Sequence, residues 1–214
     1  MWRTVIESLD LYTLLMTISS RLGIESTDGI IYRAMKLVEK GVTVTHILAE
    51  VLIHSHVKNE GYNYVSIEET VGTTKCDVYA ENESERICIE IETHSIPAEY
   101  ILEGYHYIIA RHIKKILQII KEGSILLTFA YPYGVVPLIP LELLKKPEER
   151  SEDELEKAIA IARKFYAIDY DVVTYLKNWI IKYVYIYDMA LLRVVRLPIE
   201  SITKLVHTYI ELVQ

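Results

Sequence analysis

The sequence predicts an α/β fold: a helix, a three-stranded antiparallel meander, a second helix and a buried strand, with further helices at both ends. Three observations carry this. Apolar residues recur at a helical period as far as Gly61, then switch to strand-like alternation over residues 62–93. Helical periodicity returns over 98–122. A continuous apolar run, "SILLTFAY", follows directly.

Each element has its own signal. In residues 2–22, Val5, Leu9, Tyr12, Met16 and Ser19 form one stripe, and Gly23 ends the helix. A second helix spans about 28–40 and stops at Gly41. Thr43 is placed to N-cap a third, closed by Gly61. "YVSIEETV", "KCDVYA" and "RICIEIET" read as three strands, with "ENESE" as the polar turn. Pro97 opens the 98–122 helix at a favoured first-turn position, and Gly123 closes it. The charge-dense "LKKPEERSEDE" (144–154) is the best place for a boundary. Beyond it, Ser151 and Glu154 form a capping box for a helix to about 167. Another helix covers about 169–180, 181–198 reads as a short hairpin, and a last helix spans 199–213. The expected organisation is a single domain over 1–214, with a core at about 43–131, a helical region 1–42 and a C-terminal extension from about 150.

Composition narrows the class. An apolar fraction of 51% with 25% charged residues fits a folded globular chain. No apolar run reaches the ~18 residues of a membrane span. No signal-peptide pattern opens the chain, so an intracellular protein without membrane association is expected. A net charge of −7 argues against coating nucleic acid by charge alone. The Tyr and Ile content and the scarcity of Gln suggest a hot-environment source.

The meander holds the candidate chemistry. Alternation puts Cys88, Glu90 and Glu92 on one face of the third strand and Ile87, Ile89 and Ile91 on the other. A tight turn at Glu83–Ser84 sets Asn82 opposite Glu85, Asp77 opposite Glu90, and Lys75 opposite Glu92. Asp77, Glu90 and Glu92 would repel one another unless a cation sat among them, and oxygen ligands of this kind suit Mg²⁺ or Mn²⁺. The same register places Cys76 and Cys88 on opposite sheet faces. It predicts no bond between them, and such a bond would count against this site. His46, Glu50 and His54 share a helical face at a spacing that could hold zinc, though no third imidazole or thiolate completes it. The ordinary alternative for the acidic strand is a solvated sheet face.

This order of elements, with Asp77 on the second strand and Glu90-Ile91-Glu92 on the third, resembles the αβββαβ core of the PD-(D/E)XK nuclease superfamily. The resemblance covers about residues 43–131 and implies a restriction-endonuclease-like fold with a mixed sheet. Glu92 stands at the signature lysine and Cys76 at the signature proline. The acidic-X-Glu version is similar to that of a minority of restriction enzymes. Glu50 fits the acidic residue many members carry on the first core helix. Glu103 and Tyr107 resemble the Gln-X-X-X-Tyr element of the RecB-like branch, with Arg111 and Lys114 continuing that face toward phosphate. The size and flanks are also similar to those of nuclease-like proteins of archaeal spindle-shaped viruses and of resolvases of their hosts. The resemblance implies Mg²⁺- or Mn²⁺-dependent hydrolysis of DNA, on branched or replication intermediates, by a homodimer. Asp77, Glu90 and Glu50 would hold the metal, and Glu92 would be a third ligand or proton acceptor. Lys75, by strand register alone, would supply the displaced positive charge. Two other readings compete: a non-catalytic nucleic-acid-binding protein on a degenerate nuclease core, and a structural or interaction module.

Overall fold

A computed structural model describes residues 2–24, 29–169 and 172–213. The chain is α/β, with a six-stranded mixed sheet in the order β1-β2-β3-β4-β5-β6. Helices α1 (Trp2–Leu22), α2 (Ile30–Glu39) and α3 (Val44–Asn59) precede the meander β1 (Tyr64–Val71), β2 (Thr74–Glu81) and β3 (Arg86–Ile91). Then come α4 (Gly104–Ile120), β4 (Ile125–Pro132), α5 (Leu141–Leu144), α6 (Glu152–Arg163), α7 (Val173–Asn178), β5 (Tyr183–Asp188), β6 (Arg193–Pro198) and α8 (Ile199–Val213). The meander pairs are antiparallel, β3-β4 and β4-β5 are parallel, and β5-β6 is an antiparallel hairpin. No described helix is long and apolar enough to cross a membrane.

Two apolar layers sandwich the sheet. On one side α1, α2 and α3 bury Leu15, Ala34 and Ile53 against Val78, Ile89 and Ala130. On the other, α4, α6, α7 and α8 bury Ile113, Ile159, Leu176 and Ile202 against Leu127, Phe129 and Tyr131. The central β4 is thus covered on both faces, which is why its sequence is a continuous apolar run rather than an alternating one. The C-terminal hairpin, the 181–198 segment, extends this same sheet beyond β4.

Local chemistry accounts for most boundaries. Asn82 Oδ1 accepts from the N–H groups of Ser84 and Glu85, both at 2.9 Å, and closes the β2-β3 turn. Ser151 Oγ accepts from Glu154 N at 3.4 Å, the N-cap half of the expected capping box, while Ser151 N donates to Glu142 rather than to Glu154. Thr43 has extended backbone before α3, but its side chain makes no capping bond. The expected 98–122 helix is divided: Ala98–Glu103 is a 3₁₀ turn, and α4 begins at Gly104. A Cβ at Gly104 would lie 2.6 Å from Ile96 Cδ1, so Ile96 packs closely on the start of α4. On the open edge of β1, Arg33 from α2 donates to Ile67 O at 3.0 Å and pairs with Glu69, also at 3.0 Å.

The main departure from the expected meander is a bend. Val78 and Ala80 pack on the α3 side, whereas Cys76, of the same parity, packs on the α4 side beside Tyr79 and Cys88. β1 changes in step, with Ile67 on the α3 side and Val71 on the α4 side. Both strands turn over at the one pair absent from their ladder, Glu68 and Asp77. Glu68 takes φ 50°, in the left-handed region that a non-glycine residue rarely occupies. Beyond this pivot the hairpin leans on α4. Thr73 donates to Glu122 Oε1 through N at 2.9 Å and Oγ1 at 2.7 Å, and Thr74 Oγ1 donates to Gln118 O at 3.2 Å.

Two expectations are corrected by this bend. Cys76 and Cys88 form a disulfide, with Cα atoms 5.4 Å apart, because the hairpin carries Cys76 over the α4 face, and this bond counts against the site expected from Asp77, Glu90 and Glu92 on one face. Lys75 does not face Glu92. It pairs with Thr70 on β1, and its ammonium bonds Glu68.

Arg150, inside the charge-dense 144–154 stretch, is 6% exposed. Its guanidinium donates to the carbonyls of Leu143 (3.1 Å), Lys145 (3.1 Å), Leu176 (2.8 Å), Lys177 (2.9 Å) and Trp179 (2.5 Å). It ties the segment after α5 to the approach to β5. Arg150→Met should leave these acceptors dry and lower the unfolding free energy by about 3 kcal/mol or more. Urea unfolding checks it; a loss below ~1 kcal/mol would mean that water replaces the guanidinium.

Candidate metal centre

The β2-β3 ladder stops at Val78–Ile89, and the residues beyond it form the site. Asp77 sits where the strands part. Its Oδ2 accepts from Ile91 N at 2.7 Å, while Oδ1 lies 3.5 Å from His46 Nε2 on α3. His46 Nε2 is also 3.1 Å from Glu50 Oε1, one helical turn along. Ligand atoms of His46, Glu50, Glu68 and Asp77 all lie within 4.8 Å of one another.

Burial sets the electrostatics. Glu50 is fully buried, and its Oε2 takes no hydrogen bond from the described residues. Burial pushes Glu50 up, against the pull of the His46 bond and charge. Burial also works against a charge on His46, but bonds to Asp77 and Glu50, with their charges, prevail and raise it to about 10. Burial would raise Asp77, yet the His46 bond, the Lys115 and His46 charges and the Ile91 N–H hold it below the usual range. Its two acidic neighbours thus favour the protonated form of His46.

A second group lies on the α4 face. Glu90 and Glu92 are each 1% exposed. Lys115 of α4 bonds Glu90, and Arg111 Nη2 lies 3.3 Å from Glu92 Oε2. Burial, then the charge of Asp77, pushes Glu90 up to about 8 against the attraction of Lys115. Burial raises Glu92 likewise, opposed by Arg111 and Lys115. Five carboxylates (Glu50, Glu68, Asp77, Glu90 and Glu92) thus meet three lysine or arginine cations, and the proton on His46 makes good part of the difference.

The expected residues divide accordingly. Asp77 and Glu50 come together with His46 and Glu68. Glu90 lies outside that ligand cluster, in an ion pair, because the pivot turns Asp77 toward α3 while Glu90 keeps facing α4. Lys75 reaches the cluster only through Glu68. Of the four residues expected to meet nucleic acid, Arg111 alone pairs with one of these carboxylates. Tyr107 stacks on Tyr100 at 5.0 Å and Lys114 lies 4.6 Å over the Tyr166 ring, both in an aromatic group at the end of α6. Glu103 is exposed in the 3₁₀ turn before α4, so the expected i, i+4 pair with Tyr107 on one helix does not form. His54 meets Val65 O at 3.2 Å, which leaves no helical zinc face with His46.

Two residues of the site, Glu68 and Lys115, lie outside the expected set of site residues. Glu68 was legible in principle, since a turn at Gly72–Thr73 sets it opposite Asp77. Lys115 shares a helical face with Arg111 at i, i+4, whereas the reading followed Lys114. The donor set of one imidazole and three carboxylates fits a divalent cation that accepts both nitrogen and oxygen, Mn²⁺ more readily than Mg²⁺.

No family model and no curated protein matches the sequence. Two crystal structures resemble it: an XisH family protein from Nostoc punctiforme PCC 73102 and a fdxN element excision controlling factor protein from Anabaena variabilis. Each is 13% identical, with 71% of this chain and 98% of the other covered, at a TM-score of 0.36.

The charge on His46 is open to measurement. In metal-free protein its NMR titration should show the imidazolium persisting well above pH 8, and Asp77→Asn should bring the midpoint back toward the ordinary ~6.5. The raised value means that the held proton stabilises the native state fully below about pH 6.5. That gain is lost as pH rises through about 10. A wild-type midpoint near 6.5 would contradict the geometry.

Proposed function

We infer that the chain is a divalent-metal-dependent nuclease on a PD-(D/E)XK-like core, hydrolysing DNA phosphodiester bonds. One observation carries the reading. Where the meander strands part, Asp77 and Glu50 converge with His46, and Lys115 reaches Glu90 from the neighbouring helix. The tripeptide 90–92 has glutamate in place of lysine, and Lys115 supports the view that the missing ammonium comes from α4 instead.

His46, Glu50, Glu68 and Asp77 would hold the metal, with His46 giving up its proton to do so. Bound there, a divalent cation would polarise the scissile phosphate and lower the pKa of a water. The chain's own groups supply the rest. Lys115 offers a cation to developing negative charge, as the signature lysine would. Arg111 fixes Glu92 and keeps that carboxylate from crowding Asp77. Glu90, pushed up to about 8, suits a group that accepts a proton near neutral pH.

A second reading is a DNA-binding protein on a degenerate core. Glu90 and Glu92 favour it, because each is already ion-paired with a basic partner. Cleavage assays on single-stranded, duplex and branched DNA decide between them. The expected result is cleavage with Mn²⁺, abolished with metal binding in Asp77→Asn and Glu50→Gln. Lys115→Met should retain Mn²⁺ binding and lose about 10²-fold in rate. Salt-dependent DNA binding with no cleavage in any metal would favour the second reading.

A further inference from the structure

The Cys76–Cys88 disulfide is buried, with both residues 0% exposed, and Cys76 adjoins Asp77. Uninterrupted alternation would put Cys76 on the α3 face and Asp77 on the α4 face, over Glu90. The structure has the opposite arrangement, and the bond can close only in it. Cys88 lies on the α4 side, so Cys76 reaches it only when both strands turn over at Glu68 and Asp77. The same reversal aims those two carboxylates at His46 and Glu50.

We propose that the Cys76–Cys88 disulfide is a positioning element of the metal centre, holding the β1-β2 hairpin bent so that Glu68 and Asp77 face α3. Its meaning for function rests on the metal reading above, but its structural content does not. Among the described residues, five hydrogen-bonding and covalent ties keep the hairpin over α4: the disulfide, the two Thr73 bonds to Glu122, and the Thr74 bonds to Gln118 and Glu122. Only the disulfide lies next to the pivot. The others are at the tip, where half-buried Glu122 and the Gln118 carbonyl are the acceptors. Opening the bond loosens the strand at the pivot, so that the Asp77 carboxylate leaves Ile91 N–H and His46.

The test opens the bond chemically in the intact chain. A dithiol such as dithiothreitol transfers two electrons and two protons to Cys76 and Cys88, and is itself oxidised to a cyclic disulfide. Amide exchange is then followed by NMR in the oxidised and reduced protein, without metal. The Ile91 amide should exchange faster by about tenfold or more on reduction, while Leu127 and Phe129 in β4 keep their protection. Reoxidation should restore it. The double variant Cys76→Ala/Cys88→Ala should match the reduced protein. Unchanged Ile91 exchange in the reduced form would overturn the proposal. So would a general loss of protection that includes β4, since the bond would then be supporting the whole core.

Mn²⁺ titration provides the functional arm. Affinity should fall about 10- to 100-fold on reduction, as it does when groups that orient metal ligands are lost. Equal affinity in both forms would overturn the positioning role. Failure of the oxidised protein to bind Mn²⁺ at all would instead refute the metal reading, with the Ile91 measurement still deciding whether the disulfide sets the bend.

Discussion

The geometry of this protein depends on one constraint: a two-stranded hairpin cannot stay flat in the sheet and also lie against α4. The conflict is resolved at the Glu68–Asp77 pair, where both strands turn over and the ladder is interrupted. Glu68 bears the cost in a left-handed conformation disfavoured for its side chain. What is gained is direction. Two side chains that regular pleating would send to the α4 layer are brought out together at the sheet's broken rung, facing the start of α3.

Charge follows from that placement. Carboxylates crowded into a site of low exposure cannot all remain ionised without nearby cations. The structure meets this requirement from both layers, with His46 from α3 and Lys115 and Arg111 from α4. Asp77, between the layers, feels both groups and is held ionised, while the more enclosed Glu50, Glu90 and Glu92 are pushed toward their neutral forms. The two halves of the site are therefore coupled through a single aspartate rather than through a shared face of the strand.

Much of this was legible in the sequence. Periodicity located the helices and strands, and the Asn82 turn gave the β2-β3 register, so Asp77 was correctly counted across from Glu90. The direction of its side chain was not legible. Alternation was carried through a pair that does not obey it, and nothing in "EETVGTTKCD" marks the positive φ at Glu68, which has no glycine. Contacts of the tip with Glu122 and Gln118, more than forty positions away, and the bond from Cys76 to Cys88 accompany the bend. Lys75 and Cys76 were misplaced for the same reason. The choice of Lys114 over Lys115 had a different cause: the broken start of α4 removed the Glu103–Tyr107 pair from which the helical face had been drawn.

The guanidinium on β1 has a consequence of another kind. A mixed sheet ends in two strands whose free N–H and C=O groups invite a further strand from a neighbouring molecule. Arg33 occupies the Ile67 carbonyl and the adjoining Glu69 on one border. On the other, β6 presents exposed Arg193 and Arg196 and ends in Pro198, which has no amide to donate. Neither border offers an uninterrupted row to copy. The same arginines therefore act against edge-to-edge stacking into fibrils, a role independent of the metal and of any substrate.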